Sequence, residues 1–391
     1  MANPIPSRLL PDNTSIDENG SGSIAGCNLV ELAEEYGTPL FVYDENHLRA
    51  RCREAVKAFG EGVAYAGKAF LCGAMSRLVV EEGMNIDVAT GGELYMALHA
   101  GIDGSRLIMH GNNKSESELR MALEAGVSRI VVDSFDELER LQILHKETGI
   151  SPKILLRITP GVEAHTHEFI STGQDDSKFG FTVSTGLALE AVERAVKTEA
   201  VELVGIHAHI GSQVFKVDSF IRAVEVMAEF SNPLELPELS IGGGLGVSYL
   251  EEDHAPSITE WGEAVQTACA QTGIKAKVTA EPGRAIAAAA AITLYRIGTI
   301  KELEGLRTYV AVDGGMSDNP RPVLYGSGYE TFLPRSMDKK RDRSIRMVGK
   351  HCESGDLLVR EGWVPSDVAI GDVIATPVTG AYGHSMGSNY N

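Results

Sequence analysis

Short apolar runs alternate with longer amphipathic stretches between about residue 38 and residue 284. Within the longer stretches, apolar side chains recur three and four positions apart, which is the spacing of a helix face. Strands that alternate with helices favour a parallel sheet with right-handed crossovers, and eight such units predict a (β/α)8 TIM barrel. The predicted strands are 63–66, 86–89, 107–110, 129–133, 153–158, 203–210, 239–242 and 277–281. The predicted helices are 92–100, 115–125, 136–147, 187–198, 219–230 and 259–271.

The pattern changes after Arg284, where short apolar runs are separated by turn residues and helical spacing is scarce. This change predicts a second, mostly β domain. Its predicted strands are 291–300, 307–312, 345–348, 356–359 and 373–377. A short helix is predicted over 27–36, before the barrel begins. We therefore assign residues 37–285 to the barrel, and residues 1–36 and 286–391 to the β domain.

The composition narrows the classes of function. The 391 residues include 35 basic and 54 acidic side chains, which gives a net charge of -19. Because such a surface repels phosphate backbones, we expect no nucleic-acid partner. The longest apolar run, 285–295, is too short to span a bilayer. The five cysteines include no CxxC pair and the first fifteen residues show no signal pattern, so we expect free thiols in a cytoplasmic protein.

Polar or glycine residues follow all eight predicted barrel strands. In this type of barrel the working groups lie at the carboxyl ends of the strands, so these residues predict a functional rim. His207 and His209 lie on one side of their predicted strand. A metal site is not expected there because no Asp or Cys cluster completes it, whereas a hydrogen-bonded histidine pair or an imidazole stacked on an aromatic cofactor fits. The strand-end residues are Lys68, Asp87, His110, Asp133, Arg157, His209, the glycines after Ile241, and Glu281.

Three segments of the rim carry candidate chemistry. Lys68 at a strand end suits a Schiff base, although a lone lysine is more often a solvated loop residue. The glycine-rich segment 241–247 exposes backbone N–H groups that can bind phosphate, or it is a plain tight turn. Glu281 can hold a protonated pyridine nitrogen, and Arg284 can bind a substrate carboxylate with two hydrogen bonds. A surface ion pair between these last two residues is the alternative.

The β domain contributes further candidates. Cys352 and Glu353 place a thiol beside a carboxylate among polar neighbours. Tyr382 stands between small residues, as a close contact with a ligand requires. The turn-rich segment 313–325 includes Arg321 and Tyr325, which suit an anionic, polyfunctional substrate.

Ten motifs, taken together and in this order, carry a resemblance to a known family. It resembles the fold-type III pyridoxal-phosphate decarboxylases, whose fold is that of alanine racemase. The motifs are YAGKAF at 65–70, HGNNK at 110–114, HTHEFISTG at 165–173, SKFG at 177–180, HIGSQ at 209–213, GGGLG at 242–246, EPGR at 281–284, RPVLY at 321–325, CESGD at 352–356 and GAY at 380–382.

The resemblance implies decarboxylation of meso-2,6-diaminopimelate to L-lysine and CO2 with pyridoxal 5'-phosphate as the cofactor. Lys68 would carry the cofactor covalently and Cys352 would return a proton to the α-carbon. The same resemblance implies a homodimer with shared active sites. The implied cofactor-binding residues are Lys68, Asp87, His209, Ser212, Gly243, Gly244, Gly246, Glu281, Gly283, Arg284 and Tyr382. The implied substrate-binding residues are Arg284, Arg321, Tyr325, Glu353 and Tyr382.

Three other functions compete with this one. A related decarboxylase could act on another diamino acid or polyamine precursor. A racemase could use the same architecture, although a thiol next to Glu353 is not the second base that a racemase needs. A cofactor-binding protein without turnover usually consists of the barrel alone, so the β domain disfavours it. Phe70 stands where the resembled family often has asparagine, and the sequence ends at Asn391 where that family usually continues.

Overall fold

A computed structural model describes residues 3–162 and 176–391. The HTHEFISTG motif at 165–173 lies outside the described residues. By their internal contacts the residues form two compact units. One unit, here the barrel unit, comprises Arg51–Gly246 and Ala255–Arg284. The other, here the β unit, comprises Met1–Ala50, Val247–His254 and Ala285–Asn391.

Strands and helices alternate through the middle of the chain. In the described residues the strands are β1 (Thr14–Ile16), β2 (Gly22–Ile24), β3 (Cys27–Asn28), β4 (Leu40–Tyr43), β5 (Ala64–Ala66), β6 (Asn85–Val88), β7 (Leu107–Met109), β8 (Arg129–Val132), β9 (Lys153–Thr159), β10 (Phe181–Thr182), β11 (Glu202–His207), β12 (Glu238–Ser240), β13 (Lys277–Thr279), β14 (Ala291–Leu303), β15 (Arg307–Val312), β16 (Arg343–Val348), β17 (Leu357–Val364) and β18 (Val373–Pro377). The α-helices are α1 (Leu29–Tyr36), α2 (Glu45–Phe59), α3 (Gly73–Glu81), α4 (Gly91–His99), α5 (Glu116–Ala125), α6 (Phe135–Thr148), α7 (Leu187–Val196), α8 (Val217–Ser231), α9 (Ile258–Thr272), α10 (Arg284–Ala287) and α11 (Arg321–Tyr325).

Eight parallel strands form the barrel, in the order β13-β12-β11-β9-β8-β7-β6-β5. Two backbone hydrogen bonds bring the first strand to the end of the last. The N–H of Ala64 donates to the oxygen of Ala280 at 3.0 Å, and the N–H of Ala66 donates to the oxygen of Pro282 at 3.2 Å. The predicted eight-stranded (β/α)8 TIM barrel is therefore confirmed. Its strand ends share one rim because parallel strands end on the same side.

Local sequence signals explain where the barrel helices begin and end. Ser115 accepts the N–H of Glu118 and Glu118 accepts the N–H of Ser115, so α5 starts with a capping box. Gly126 ends the same helix in the left-handed conformation, which glycine adopts without strain. A second capping box, from Ser257 and Glu260, starts α9.

The β unit is built on the long strand β14. Its sheet has the order β17-β16-β15-β14-β18, and β4 also pairs with β14. The first half of β14 lies between β4 and β18, and its second half pairs with β15. The β1, β2 and β3 strands form a separate antiparallel sheet. The predicted mostly β second domain is therefore confirmed.

The observed units differ from the predicted boundaries in three places, because residues 37–50, 247–254 and 285 of the predicted barrel lie in the β unit. Residues 40–43 pair with β14, so this part of the predicted barrel belongs to the β unit. These differences arise from contacts with residues distant in sequence, which local spacing does not reveal. The helices α2 and α3 were not predicted. Within residues 3–162 and 176–391, no helix combines the length and the hydropathy that a bilayer span needs.

Candidate active site

Glu281 is a buried carboxylate held by two neighbours at the barrel rim. It follows β13, and its Oε1 accepts a hydrogen bond from Ser240 Oγ at 2.6 Å. Its Oε2 lies 2.9 Å from His207 Nε2. Burial acts to raise the pKa of Glu281, but His207, His110 and the Ser240 hydroxyl outweigh it, and the pKa falls below the usual value. The carboxylate is therefore ionised and ready to face a positive group.

His110 and Asp87 complete this cluster. His110 Nε2 lies 3.4 Å from Asp87 Oδ1 and 3.8 Å from Glu281 Oε1. Burial lowers the pKa of His110 to about 3; the Glu281 charge opposes this shift, and nearby positive groups add to it. Burial and the charge of Glu281 raise the pKa of Asp87 well above its usual value. Ligand atoms of His110, His207 and Glu281 lie within 4.8 Å of one another, an arrangement that sequence spacing did not suggest.

Lys68 and His209 lie on the same rim. Lys68 is an exposed residue in the short turn Gly67–Ala69 that follows β5. His209 follows β11, and its Nδ1 accepts the N–H of Gly243 at 3.1 Å. Burial and then the charge of Lys68 lower the pKa of His209 well below its usual value. The ring is therefore neutral, with the proton on Nε2. Its link to the glycine loop is distinct from the bond between His207 and Glu281.

The glycine loop after β12 packs backbone against backbone. A Cβ on Gly243 would lie 2.2 Å from the oxygen of Glu281. Gly244 has a φ of +114°, and a Cβ there would lie 2.1 Å from the oxygen of Gly211. The N–H of Gly246 donates to Val214 at 3.0 Å. Gly243 and Gly244 therefore exclude any side chain, which lets the backbone of the loop pack directly against its neighbours.

Arg284 brings a positive charge to this loop. It is 8% exposed, and its Nη2 donates to Ser212 Oγ at 2.9 Å. Gly283 precedes it, and a Cβ there would lie 2.9 Å from the Cβ of Ala66. The chain can therefore pass close to β5 only with glycine at this position. A hydroxyl and a guanidinium therefore lie together beside the glycine loop, and both can bind an anion.

Arg321 is a buried, positively charged residue of the β unit. It begins α11, is 4% exposed, and has no carboxylate partner among the described residues. Its Nη1 donates to the hydroxyl of Tyr329 at 2.5 Å. Its guanidinium carbon lies 4.2 Å from the centre of the Tyr249 ring. A buried, uncompensated guanidinium is costly unless an anion joins it. Tyr325, at the other end of α11, is half-buried.

The remaining predicted residues lie on loops of the β unit. Cys352 and Glu353 are exposed between β16 and β17. The carboxylate of Asp356 accepts the N–H of Met316 at 2.6 Å and fixes this loop to its neighbour. Tyr382 follows β18 with a φ of +61°, a conformation that non-glycine residues rarely adopt.

The predicted site residues are divided between the two units. Sequence reasoning missed several supporting residues, because burial and pairing rather than local pattern reveal them. The group in the barrel unit is Lys68, Asp87, His209, Ser212, Gly243, Gly244, Gly246, Glu281, Gly283 and Arg284. The group in the β unit is Arg321, Tyr325, Cys352, Glu353 and Tyr382. The missed residues are Lys114, Glu137, Ser240, Tyr249, Asn319 and Tyr329, while His207 was singled out without its partner Glu281.

Comparisons with known proteins show the family of this chain. The profile described as "Pyridoxal-dependent decarboxylase, pyridoxal binding domain" matches residues 45–288. Diaminopimelate decarboxylase of Mycobacterium bovis is 49% identical, over 97% of this chain and 90% of the relative. The Bacillus subtilis enzyme of the same name is 44% identical, over 96% and 89%. A crystal structure of diaminopimelate decarboxylase from M. jannaschii with L-lysine has a TM-score of 0.89 at 33% identity, and covers 97% of this chain and 90% of that chain.

The barrel, its glycine loop and these matches define the class. The chain belongs to the pyridoxal-dependent decarboxylases. Within that family its curated relatives are diaminopimelate decarboxylases, and they match it over nearly its full length. The predicted resemblance is therefore confirmed.

Proposed function

We propose that this protein decarboxylates meso-2,6-diaminopimelate to L-lysine and CO2. The names of its relatives support this reaction. The observation that carries the choice of substrate is Arg321, a buried guanidinium without a carboxylate partner among the described residues. Diaminopimelate has a second carboxylate that can meet this charge, whereas ornithine and arginine have none. The same residue disfavours the alternative of a decarboxylase for a polyamine precursor.

The barrel unit fits pyridoxal 5'-phosphate. Lys68 would hold the cofactor covalently, and His209 would lie against its ring. The glycine loop with Ser212 and Arg284 would bind the phosphate. Ionised Glu281 would face the pyridine nitrogen, with Asp87 and Gly283 supporting the same site. When bound, the cofactor accepts the electron pair that remains when CO2 leaves.

The chain's own residues would orient the substrate and return the proton. Arg321, with Tyr325, Tyr382 and Glu353, would hold the distal end of the substrate and so expose one carboxylate for loss. The bond from the α-carbon to that carboxylate breaks, and CO2 departs. The thiol of Cys352 then donates its proton to the α-carbon, which forms the C–H bond of L-lysine.

A homodimer with shared active sites belongs to this proposal. Cys352 and Glu353 are both exposed, as residues that serve the partner's site would be in a single chain. Val323 and Leu324 on α11 are exposed by 45% and 48%, and apolar side chains of this kind are typical of an interface. All five cysteines are free, which supports the predicted cytoplasmic location.

The direct test measures both products. Purified protein is incubated with pyridoxal phosphate and meso-diaminopimelate, and L-lysine and CO2 are quantified together. We expect equal amounts from the wild type and none from Lys68→Ala. Arg321→Ala should lower kcat/KM by about a hundredfold or more, since a charged hydrogen bond is lost. Full activity in Lys68→Ala would reject the mechanism, and unchanged activity in Arg321→Ala would favour the alternative substrate.

A further inference from the structure

Arg321 has a neutral hydrogen-bonding partner and an aromatic neighbour instead of a counter-ion. Tyr329 accepts from its Nη1 at 2.5 Å, and the Tyr249 ring lies against its guanidinium. We propose that Tyr329 and Asn319 are positioning residues that hold Arg321 for the distal carboxylate of the substrate without neutralising its charge. This inference rests on the proposed function, and it concerns residues to which that function assigned no role.

A short chain of hydrogen bonds fixes the direction of the guanidinium. Arg321 donates to the oxygen of Tyr329, and the hydroxyl of Tyr329 donates in turn to Asn319 Oδ1 at 3.4 Å. Because its proton points towards Asn319, the tyrosine oxygen presents a lone pair to Arg321. Asn319 and Tyr329 are 2% and 1% exposed, so water does not compete for these bonds. One edge of the guanidinium is thereby fixed by the protein.

Aromatic rings confine the same guanidinium. The ring centres of Tyr249 and Tyr329 lie 5.3 Å apart at an interplanar angle of 82°. The guanidinium carbon of Arg321 is 4.2 Å from the first centre and 5.5 Å from the second. Both distances lie within the range of a cation–π contact. The rings stabilise the positive charge through their faces and leave it available to an anion.

The chemical type of these partners matters for binding. A carboxylate at the position of Tyr329 would pair with Arg321 and would compete with the substrate's carboxylate. A phenol orients the same group but leaves its full charge for the ligand. Loss of the phenol hydroxyl should therefore weaken only those ligands that present a carboxylate to Arg321. A general loss of packing would weaken every ligand alike.

Two ligands separate these outcomes. L-lysine keeps the distal carboxylate, whereas cadaverine, the corresponding diamine, has no carboxylate. Both are titrated against cofactor-loaded wild type and Tyr329→Phe, and the spectrum of the bound cofactor reports binding. We expect the Kd of L-lysine to rise about tenfold in the variant, as for the loss of one hydrogen bond to a charged group, with the Kd of cadaverine unchanged within twofold. KM for diaminopimelate should rise by a similar factor while kcat stays within threefold.

The controls make the inference falsifiable. Asn319→Ala should also raise the Kd of L-lysine, by a smaller factor. Tyr309→Phe removes a hydroxyl from a half-buried tyrosine of β15 and should leave the Kd of both ligands unchanged. Equal weakening of both ligands, or no weakening of L-lysine in Tyr329→Phe, would overturn the inference. A wild type that binds L-lysine no better than cadaverine would do so as well. A wild type that prefers L-lysine but does not release CO2 would instead reject the proposed reaction alone.

Discussion

At the scale of single residues, the pKa values of two buried carboxyl groups in one cluster are shifted in opposite directions. Glu281 accepts from Ser240 and lies against His207, so its pKa is lowered and it is ionised. Asp87 lacks such donors, and burial followed by the nearby Glu281 charge raises its pKa. In the proposed site, the cofactor's pyridine nitrogen would face the ionised carboxylate of Glu281. The opposite shifts follow from hydrogen bonds between strands that are far apart in sequence.

The buried His110 predicts a particular loss of stability in acid. Its pKa is about 3 in the folded protein, against 6.5 for an unperturbed histidine. Between these values the unfolded chain binds a proton that the folded protein does not, so stability is complete above pH 6.5 and falls as the pH is lowered. The slope for one such proton is about 1.4 kcal/mol per pH unit. Urea unfolding of wild type and His110→Gln between pH 6 and pH 5 should show the smaller slope in the variant. Equal slopes would contradict a neutral buried His110.

Gly244 offers a second test at this scale. Its φ of +114° and the 2.1 Å approach of a Cβ to the oxygen of Gly211 leave no room for a methyl group. Gly244→Ala should therefore displace the loop and weaken cofactor binding by about a hundredfold, measured by equilibrium dialysis of pyridoxal phosphate. Gly126→Ala is a matched control, because that residue also has a positive φ but no atom lies within 4 Å of an added Cβ. Unchanged affinity of Gly244→Ala for pyridoxal phosphate would contradict a role for this loop in cofactor binding.

At the scale of elements, a buried lysine joins parts of the barrel rim. Lys114 Nζ donates at 2.7 Å to the oxygens of Gly111 and Val131 and to Glu137 Oε1. Glu137 Oε2 accepts the N–H of Asp133 at 3.0 Å. The loop after β7, the end of β8 and the start of α6 are thus held by one ion pair. Lys114 belongs to a motif quoted from the sequence, yet only burial shows that it is structural.

Removal of this lysine should leave an uncompensated buried charge. Lys114→Met should lower the free energy of unfolding by about 3–5 kcal/mol, because Glu137 loses its counter-ion. The double variant Lys114→Met with Glu137→Leu should recover most of that loss. Lys146→Met, on the exposed side of α6, should change stability by less than about 0.5 kcal/mol. Urea titration followed by circular dichroism measures all three, and a small effect in Lys114→Met would contradict the structural role.

The elements also show what the sequence could predict. All eight barrel strands were predicted close to their observed positions, because buried parallel strands are short continuous apolar runs. The strand predicted over 203–210 ends at His207, since the polar and glycine residues beyond it form the rim. The glycine loop and Glu281 were identifiable from their place after strands. Tyr329 and its contact with Arg321 were not, because pairing through a folded loop has no local periodicity.

At the scale of the whole molecule, shared active sites can be tested by mixing inactive variants. Lys68→Ala and Cys352→Ala are each expected to be inactive as homodimers. If Cys352 serves the partner's site, a mixed dimer has one intact site and one doubly altered site. Random exchange of subunits should then restore about a quarter of wild-type activity. The unmixed variants are the controls, and a mixture without activity after proven exchange would contradict shared sites.

The pairing of β4 with β14 has a consequence for the order of events during synthesis. Leu40 lies opposite Leu294, so the ribosome must add about 250 further residues before the partner of β4 exists, roughly 12–50 s at ordinary elongation rates. All eight barrel strands have been translated by then. The emerging barrel can therefore assemble while the first fifty residues still wait outside the tunnel. An early apolar strand that waits so long is a natural target for a nascent-chain chaperone.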